Sequence, residues 1–191
     1  MPSSDPLDIL IRSDAWSTRI VLETCTRLTP EQFDREFPIG LGSLHEILTH
    51  IVSVMRRWTD RVAERPPRPH LRVLKQFPGM EAENRAYSPT DLLPLLDDAE
   101  RDALDTARLW RPRLDTTVTV EWPASDGGGV KRYTFTRGAI LVHMCTHGFH
   151  HRAQCLNILR HLNLPGVSDK LPEPSTVDWQ AAIESPPILV V

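Results

Sequence analysis

Residues 140–162 read ILVHMCTHGFHHRAQCLNILRHL, and this stretch decides how the rest of the chain is interpreted. Side chains three or four residues apart stack on one face of a helix. Here that face consists of Ile140, Met144, His147, His151, Cys155, Ile158 and Leu162. Two imidazoles therefore stand where a helix ordinarily carries core aliphatic side chains. Because burying a polar ring without a partner costs free energy, the pattern predicts that His147 and His151 share a partner.

A metal ion is the partner that the spacing favours. Histidines at i and i+4 point the same way and can bind one ion, but zinc and similar metals need at least three protein ligands. The third ligand must come from another helix, and His50 is the best candidate because it lies at the edge of an apolar helical face. The competing interpretation is that these are ordinary core histidines with hydrogen-bond partners. A pair inside an apolar stripe, with a third histidine on a second helix, favours the metal.

Three neighbouring residues are given other roles. His143 could form a rival pair with His147, but it lies off the centre of the stripe and is interpreted as a supporting or surface residue. His150 flanks the site and is the candidate catalytic residue, which would orient substrate or move protons. Cys155 lies deeper in the stripe, where a cysteine packs as a small hydrophobe.

The remaining pattern predicts an all-α fold, a four-helix bundle with a small β-hairpin inserted before the last helix. Capping and breaker residues place the long helices at about 5–28, 43–64, 88–110 and 136–162, and a short helix at 29–37. Alternating β-branched residues place the hairpin strands at 116–122 and 130–135, with a turn at 126–129. Residues 65–87 are interpreted as a loop with a short helical turn near Met80. The bundle would occupy residues 1–164, and a proline-rich tail, residues 165–191, would pack on it with a short helix near 177–183.

Composition narrows the functional classes. The 191 residues carry a formal net charge of -3 and a pI near 6.2, so no broad basic surface indicates a nucleic-acid partner. Three cysteines without a CxxC pair favour a reducing compartment over a disulfide framework. The amino-terminal sequence lacks the features of a signal peptide, and no apolar run is long enough for a membrane span. We therefore expect a cytoplasmic protein with no membrane and no nucleic-acid partner.

Several motifs resemble the DinB-like superfamily of bacterial four-helix-bundle metalloproteins, the DinB/YfiT type. The motifs are Gly42-Ser43-Leu44 before a helix with His50 and Trp58, the run from His147 to Gln154 (HGFHHRAQ), Ala15-Trp16, and Glu121-Trp122. The family commonly shows a histidine, three residues, and then His-Arg-Gly-Gln, so Ala153 replaces a glycine here. Arg152 and Gln154 are interpreted as making contacts between helices or subunits. The likeness covers about residues 5–162.

The resemblance implies that His50, His147 and His151 bind a divalent metal ion, typically zinc or nickel, with water in the open positions, and that the protein is a homodimer. Superfamily members include enzymes that use the small thiols bacillithiol or mycothiol. A metal can hold a thiol as its reactive thiolate. The first hypothesis is therefore a metal-dependent S-transferase that joins a low-molecular-weight thiol to a small-molecule electrophile.

Two other hypotheses remain open. One is a metal-dependent hydrolase that uses metal-bound hydroxide. Glu46 or Asp14 would then be the nearest general base. The other is a non-catalytic, metal-stabilised dimeric stress-response protein.

Overall fold

The computed structural model describes residues 4–73, 81–83, 85–123, 129–172 and 174–184. These residues form a mainly helical fold with a small two-stranded antiparallel sheet. The elements in chain order are α1 (Pro6–Cys25), α2 (Pro30–Asp34), α3 (Leu44–Val62), α4 (Pro89–Trp110), β1 (Thr117–Pro123), β2 (Val130–Thr136), α5 (Arg137–Leu162) and α6 (Thr176–Trp179). A 3-10 turn, Arg111–Arg113, follows α4, and a π-helical turn, Gln180–Glu184, follows α6. The mainly helical class and the hairpin before α5 are confirmed.

The helix starts agree with the predicted caps. The Asp5 carboxylate accepts hydrogen bonds from the amides of Leu7 at 2.9 Å and Asp8 at 3.2 Å. Thr29 and Ser88 each begin a complete capping box. These caps satisfy amides that have no partner within their own helix.

The predicted helix ends at Trp110 and Leu162 are confirmed, but those of the first two helices are wrong. We expected the first helix to reach residue 28, but α1 ends at Cys25, where the Leu28 amide turns back to the Cys25 carbonyl at 3.0 Å. We expected the short helix to reach residue 37, but α2 ends at Asp34. The Phe37 amide instead donates to the Gly42 carbonyl at 2.7 Å, which draws the chain out of the helix.

The four longest helices pack around one apolar core. Helix α3 contacts α4 and α5, and α1 contacts the same two helices. The predicted stripe on α5 faces this core: Ile140, Met144, His151, Cys155, Ile158 and Leu162 are all buried. Helix α6 contacts α1, and its Trp179 is buried. The α3–α5 pairing is the part of the fold that positions the histidines.

Some predictions concern residues outside the described part of the chain. These are the helical turn near Met80, most of the hairpin turn at 126–129, and the apolar end of the tail at 185–191. None of the helices in the described ranges combines the length and apolarity needed to cross a membrane.

Candidate metal centre

The two helices of the α3–α5 pair bring three ring nitrogens together. His50 lies on α3, and His147 and His151 lie one turn apart on α5. Nε2 of His147 is 3.2 Å from Nε2 of His50 and 3.1 Å from Nε2 of His151. At metal–nitrogen distances of about 2.0–2.1 Å, ligand nitrogens at angles near 90–110° lie about 2.8–3.4 Å apart. The observed spacing fits three ligands of one ion.

The protonation state of these rings also suits a metal. Burial, followed by the repulsion of neighbouring imidazoles, lowers the pKa of His50 to about 3 and the pKa of His147 to about 3. Burial lowers the pKa of His151 as well. All three rings are therefore neutral near pH 7, which is the form that binds a metal. Lone pairs that face one another at this distance need a proton or a cation between them.

Gln154 fixes the tautomer of His151. Its side-chain carbonyl Oε1 lies 2.7 Å from Nδ1 of His151. A carbonyl oxygen only accepts hydrogen bonds, so Nδ1 carries the proton and Nε2 presents its lone pair to the cluster. Metal-binding histidines are ordinarily oriented in this way by an acceptor behind the ring. The sequence interpretation of Gln154 as a helix or subunit contact missed this role.

The loop before α3 supports Gln154 from behind. Gly40 has a φ of +56°, and a Cβ at this position would overlap Oε1 of Gln154. The glycine therefore lets the backbone approach the amide closely and adopts a conformation that other residues rarely take. Nothing in the local sequence around Gly40 points to α5, so this contact becomes visible only in the folded chain.

His50 borders a second group of polar side chains. A cavity of about 10 Å³ beside it is lined by Glu46, Thr49, His50, Ser53, His70, Arg72 and Val73. Nδ1 of His50 is buried and has no hydrogen-bond partner among the described residues. The cavity is close to the minimum volume for a single water molecule, about 10–15 Å³. His50 thus has a polar environment behind the nitrogen that faces away from the cluster.

The other predicted residues lie around the centre. His150 is exposed, and the Gln154 amide nitrogen donates to its Nε2 at 2.9 Å. His143 is exposed and its ring packs between those of Trp58 and His147. Cys155 is fully buried in the core, as expected. Gln154 therefore links His150 to a residue of the cluster, while His143 faces a different neighbourhood.

The two carboxylates considered as bases have other partners. Asp14 of α1 forms a buried ion pair with Arg152 of α5, and Arg152 also donates to Thr18 at 3.0 Å. Gly148 makes room for this pair, because a Cβ there would lie 2.6 Å from Oδ1 of Asp14. Arg152 thus makes the inter-helix contact that the sequence predicted. Oε1 of Glu46 lies 3.8 Å from Nη2 of Arg72, which makes an ion pair.

Among the described residues, the group of possible ligand atoms within 4.8 Å consists of three histidines and includes no carboxylate. The fold is mainly helical, with a hairpin before its last long helix and three histidines between two of its helices. These features define a class of helical proteins that could bind a metal ion. The chain matches the DinB family model over residues 3–172 and belongs to the DinB family. No curated protein sequence matches the chain.

Proposed function

We propose that this DinB-family protein is a metal-dependent enzyme, a thiol S-transferase that activates a bacillithiol-type or mycothiol-type thiol at its three-histidine site. The observation that carries the proposal is the convergence of three neutral imidazoles, His50, His147 and His151, without a carboxylate in the group. The thiol would react with a small-molecule electrophile. The proposal also includes a zinc or nickel ion, a bundle of the four long helices, a homodimer and a cytoplasmic location.

The donor set supports thiol activation for an electrostatic reason. Three neutral ligands leave the full charge of a divalent ion in place, and such an ion, when bound, lowers the pKa of a coordinated thiol or water. The thiolate is the nucleophilic form of a thiol. His50, His147 and His151 would hold the ion, and Gln154 would keep the Nε2 lone pair of His151 directed at it.

His150 is the candidate for proton transfer in this proposal. It is exposed, so it can exchange protons with solvent, and it shares Gln154 with His151. Nε2 of His150 would exchange its hydrogen bond from Gln154 for the proton that the thiol releases, and the ring would then deliver that proton to solvent. A His150→Gln variant should lower kcat while leaving the metal content unchanged. If the variant kept full activity, the proton would have to leave by another route.

Metal analysis tests the premise of the proposal. Purified protein should contain about one equivalent of metal per chain, and His147→Ala should contain much less. The matched control is His161→Ala, an exposed histidine on the same helix, which should retain the metal. Equal metal content in all three proteins would contradict the ligand assignment.

A second assay tests the reaction. The metal-loaded protein should consume 1-chloro-2,4-dinitrobenzene only when bacillithiol or mycothiol is present, and His50→Ala should abolish this activity. Ester hydrolysis without a thiol would instead support the hydrolase. A metal-loaded protein inactive in both assays would support a non-catalytic, metal-stabilised role in the stress response.

A further inference from the structure

An aromatic pocket lies beside the histidine cluster. It has a volume of about 270 Å³ and is lined by Trp58, Trp122, Phe135, Ala139, Ile140 and His143. These residues come from α3, from both strands of the hairpin and from the first turns of α5. The hairpin therefore builds one wall of a cavity whose other walls belong to the helices that carry the histidines.

The pocket and the cluster are separated by one helical turn. The His143 ring lies 5.8 Å from the Trp58 ring and 5.5 Å from the His147 ring, measured between centroids. His143 precedes His147 by four residues on α5, which corresponds to about 6 Å along a helix. A small molecule that buries one end in the pocket would thus place another of its atoms, about 6 Å from that end, at the histidine cluster.

The chemistry of the walls selects a neutral ring. The Trp58 and Trp122 rings are perpendicular with centroids 5.9 Å apart, and Trp58 and Phe135 are similarly arranged at 6.3 Å. Rings this close contact one another, so they do not form the open cage that encloses a quaternary ammonium group. The Arg61 guanidinium also lies over the Trp58 ring, 4.9 Å from its centroid, and would repel a second cation.

We propose that this aromatic pocket binds a neutral aromatic group of the electrophile, whose reactive atom lies about one helical turn away, at the three histidines. The identity of the reactive end rests on the proposed function, but binding of the aromatic group does not. Pockets for small ligands are mostly apolar with a few polar groups, and His143 is the polar group on the side of the cluster. The substrate class is therefore a small aromatic or arylalkyl electrophile.

The binding test uses metal-free protein and an unreactive probe, 1-naphthylmethanol, titrated by calorimetry. Wild type and His147→Ala should bind the probe equally well. Trp122→Leu keeps apolar bulk but removes the ring, and should weaken binding about tenfold or more. The matched control is Phe149→Leu, because Phe149 is an exposed aromatic residue at 68% on the same helix as the histidines and should not affect binding.

A second variant covers the possibility that Trp122→Leu disturbs the hairpin. Ala139 is exposed and lines the pocket, so Ala139→Phe fills the cavity without removing any packing. It should also weaken binding about tenfold, since the probe and the new ring compete for one space. Three results would overturn the proposal: unchanged binding in both variants, equally tight binding of benzyltrimethylammonium, or a change of oligomeric mass in Trp122→Leu. The last result would make the surface a contact between copies of the chain.

The outcomes separate this proposal from the proposed function. If the protein binds the probe through Trp122 but shows no thiol-dependent reaction, the result supports the aromatic pocket and contradicts the transferase function. If the transferase is active, Trp122→Leu should raise KM for the aromatic electrophile while the metal content stays unchanged. An active transferase whose KM does not respond to Trp122→Leu or Ala139→Phe would contradict the pocket alone.

Discussion

Acidification should destabilise the metal-free protein through two partly buried histidines. The pKa of His50 falls from 6.5 to about 3 in the folded chain, and the pKa of His147 does the same. Between these pH values the unfolded chain binds protons that the folded chain does not bind. The free energy of unfolding therefore rises with pH between about 3 and 6.5, and it is lost as the pH falls through that range. Above pH 6.5 these two groups no longer change it.

The size of the effect follows from the width of the window. At pH 5.0 each histidine is about 1.5 pH units below its unfolded pKa, and one unit corresponds to about 1.4 kcal/mol. His50 and His147 should therefore each cost about 2 kcal/mol of unfolding free energy between pH 7.5 and 5.0. Asp14 acts in the opposite direction, because burial raises its pKa to about 6 and protonation then favours the folded state. The total change in unfolding free energy therefore combines the destabilising contribution of the histidines with the stabilising contribution of Asp14.

A comparison of variants isolates the histidine contribution. His50→Gln removes one partly buried imidazole, so its loss of stability between pH 7.5 and 5.0 should be about 2 kcal/mol smaller than that of wild type. Urea unfolding with a chelator present measures both free energies. His161→Gln removes an exposed imidazole and should lose as much as wild type. If His50→Gln and wild type lost the same free energy, the pKa of His50 would not be lowered in the folded chain and the reasoning would fail.

Two further changes test the surroundings of the site. Gln154→Ala should lower metal affinity about 10–100-fold, because His151 loses the acceptor that fixes its tautomer. A competition titration against a chelator measures the affinity, and an unchanged value would contradict the orienting role of Gln154. Arg152→Met should destabilise the protein by about 3–5 kcal/mol, because it leaves Asp14 buried without its cation. Adding Asp14→Leu should restore most of that free energy in urea unfolding, and a single-variant loss below about 1 kcal/mol would show that the pair is not buried as described.

The helix starts were predictable because their causes are local. The Ser88 side chain accepts a hydrogen bond from the Asp91 amide, and the Asp91 side chain accepts one from the Ser88 amide. Both residues lie within four consecutive positions, so the local sequence is enough to predict the cap. The helix ends were less predictable because distant groups determine them. The Phe37 amide leaves α2 for the Gly42 carbonyl, and that bond depends on the loop that follows.

The same distinction applies to the site. His147 and His151 were found from their spacing on one helix, and His50 from its position at the edge of an apolar face on a second helix. The role of Gln154 was missed because it depends on a rotamer and on the approach of Gly40. The aromatic pocket had a weaker signal in the sequence. Trp122 pairs with Lys131, and Phe135 lies four residues after Lys131 on the same strand, so the alternation of a strand places Trp122 and Phe135 on one face of the hairpin.

The histidine cluster connects stability to metal binding through one physical cause. Burial on the core face of α5 makes protonation of His147 costly, and the same burial leaves its lone pair free near pH 7. In the metal-free fold the Nε2 atoms of His50 and His151 lie 3.2 and 3.1 Å from Nε2 of His147, so a single proton on His147 must serve both neighbouring nitrogens. A ligand that binds only the folded chain stabilises it in proportion to the logarithm of its concentration over Kd, about 2.7 kcal/mol at a hundredfold excess. These histidines add three polar rings to the contact between α3 and α5, where aliphatic side chains would need no hydrogen-bond partners. Their presence on the apolar stripe is thus better explained by the ion they can hold than by the packing they provide.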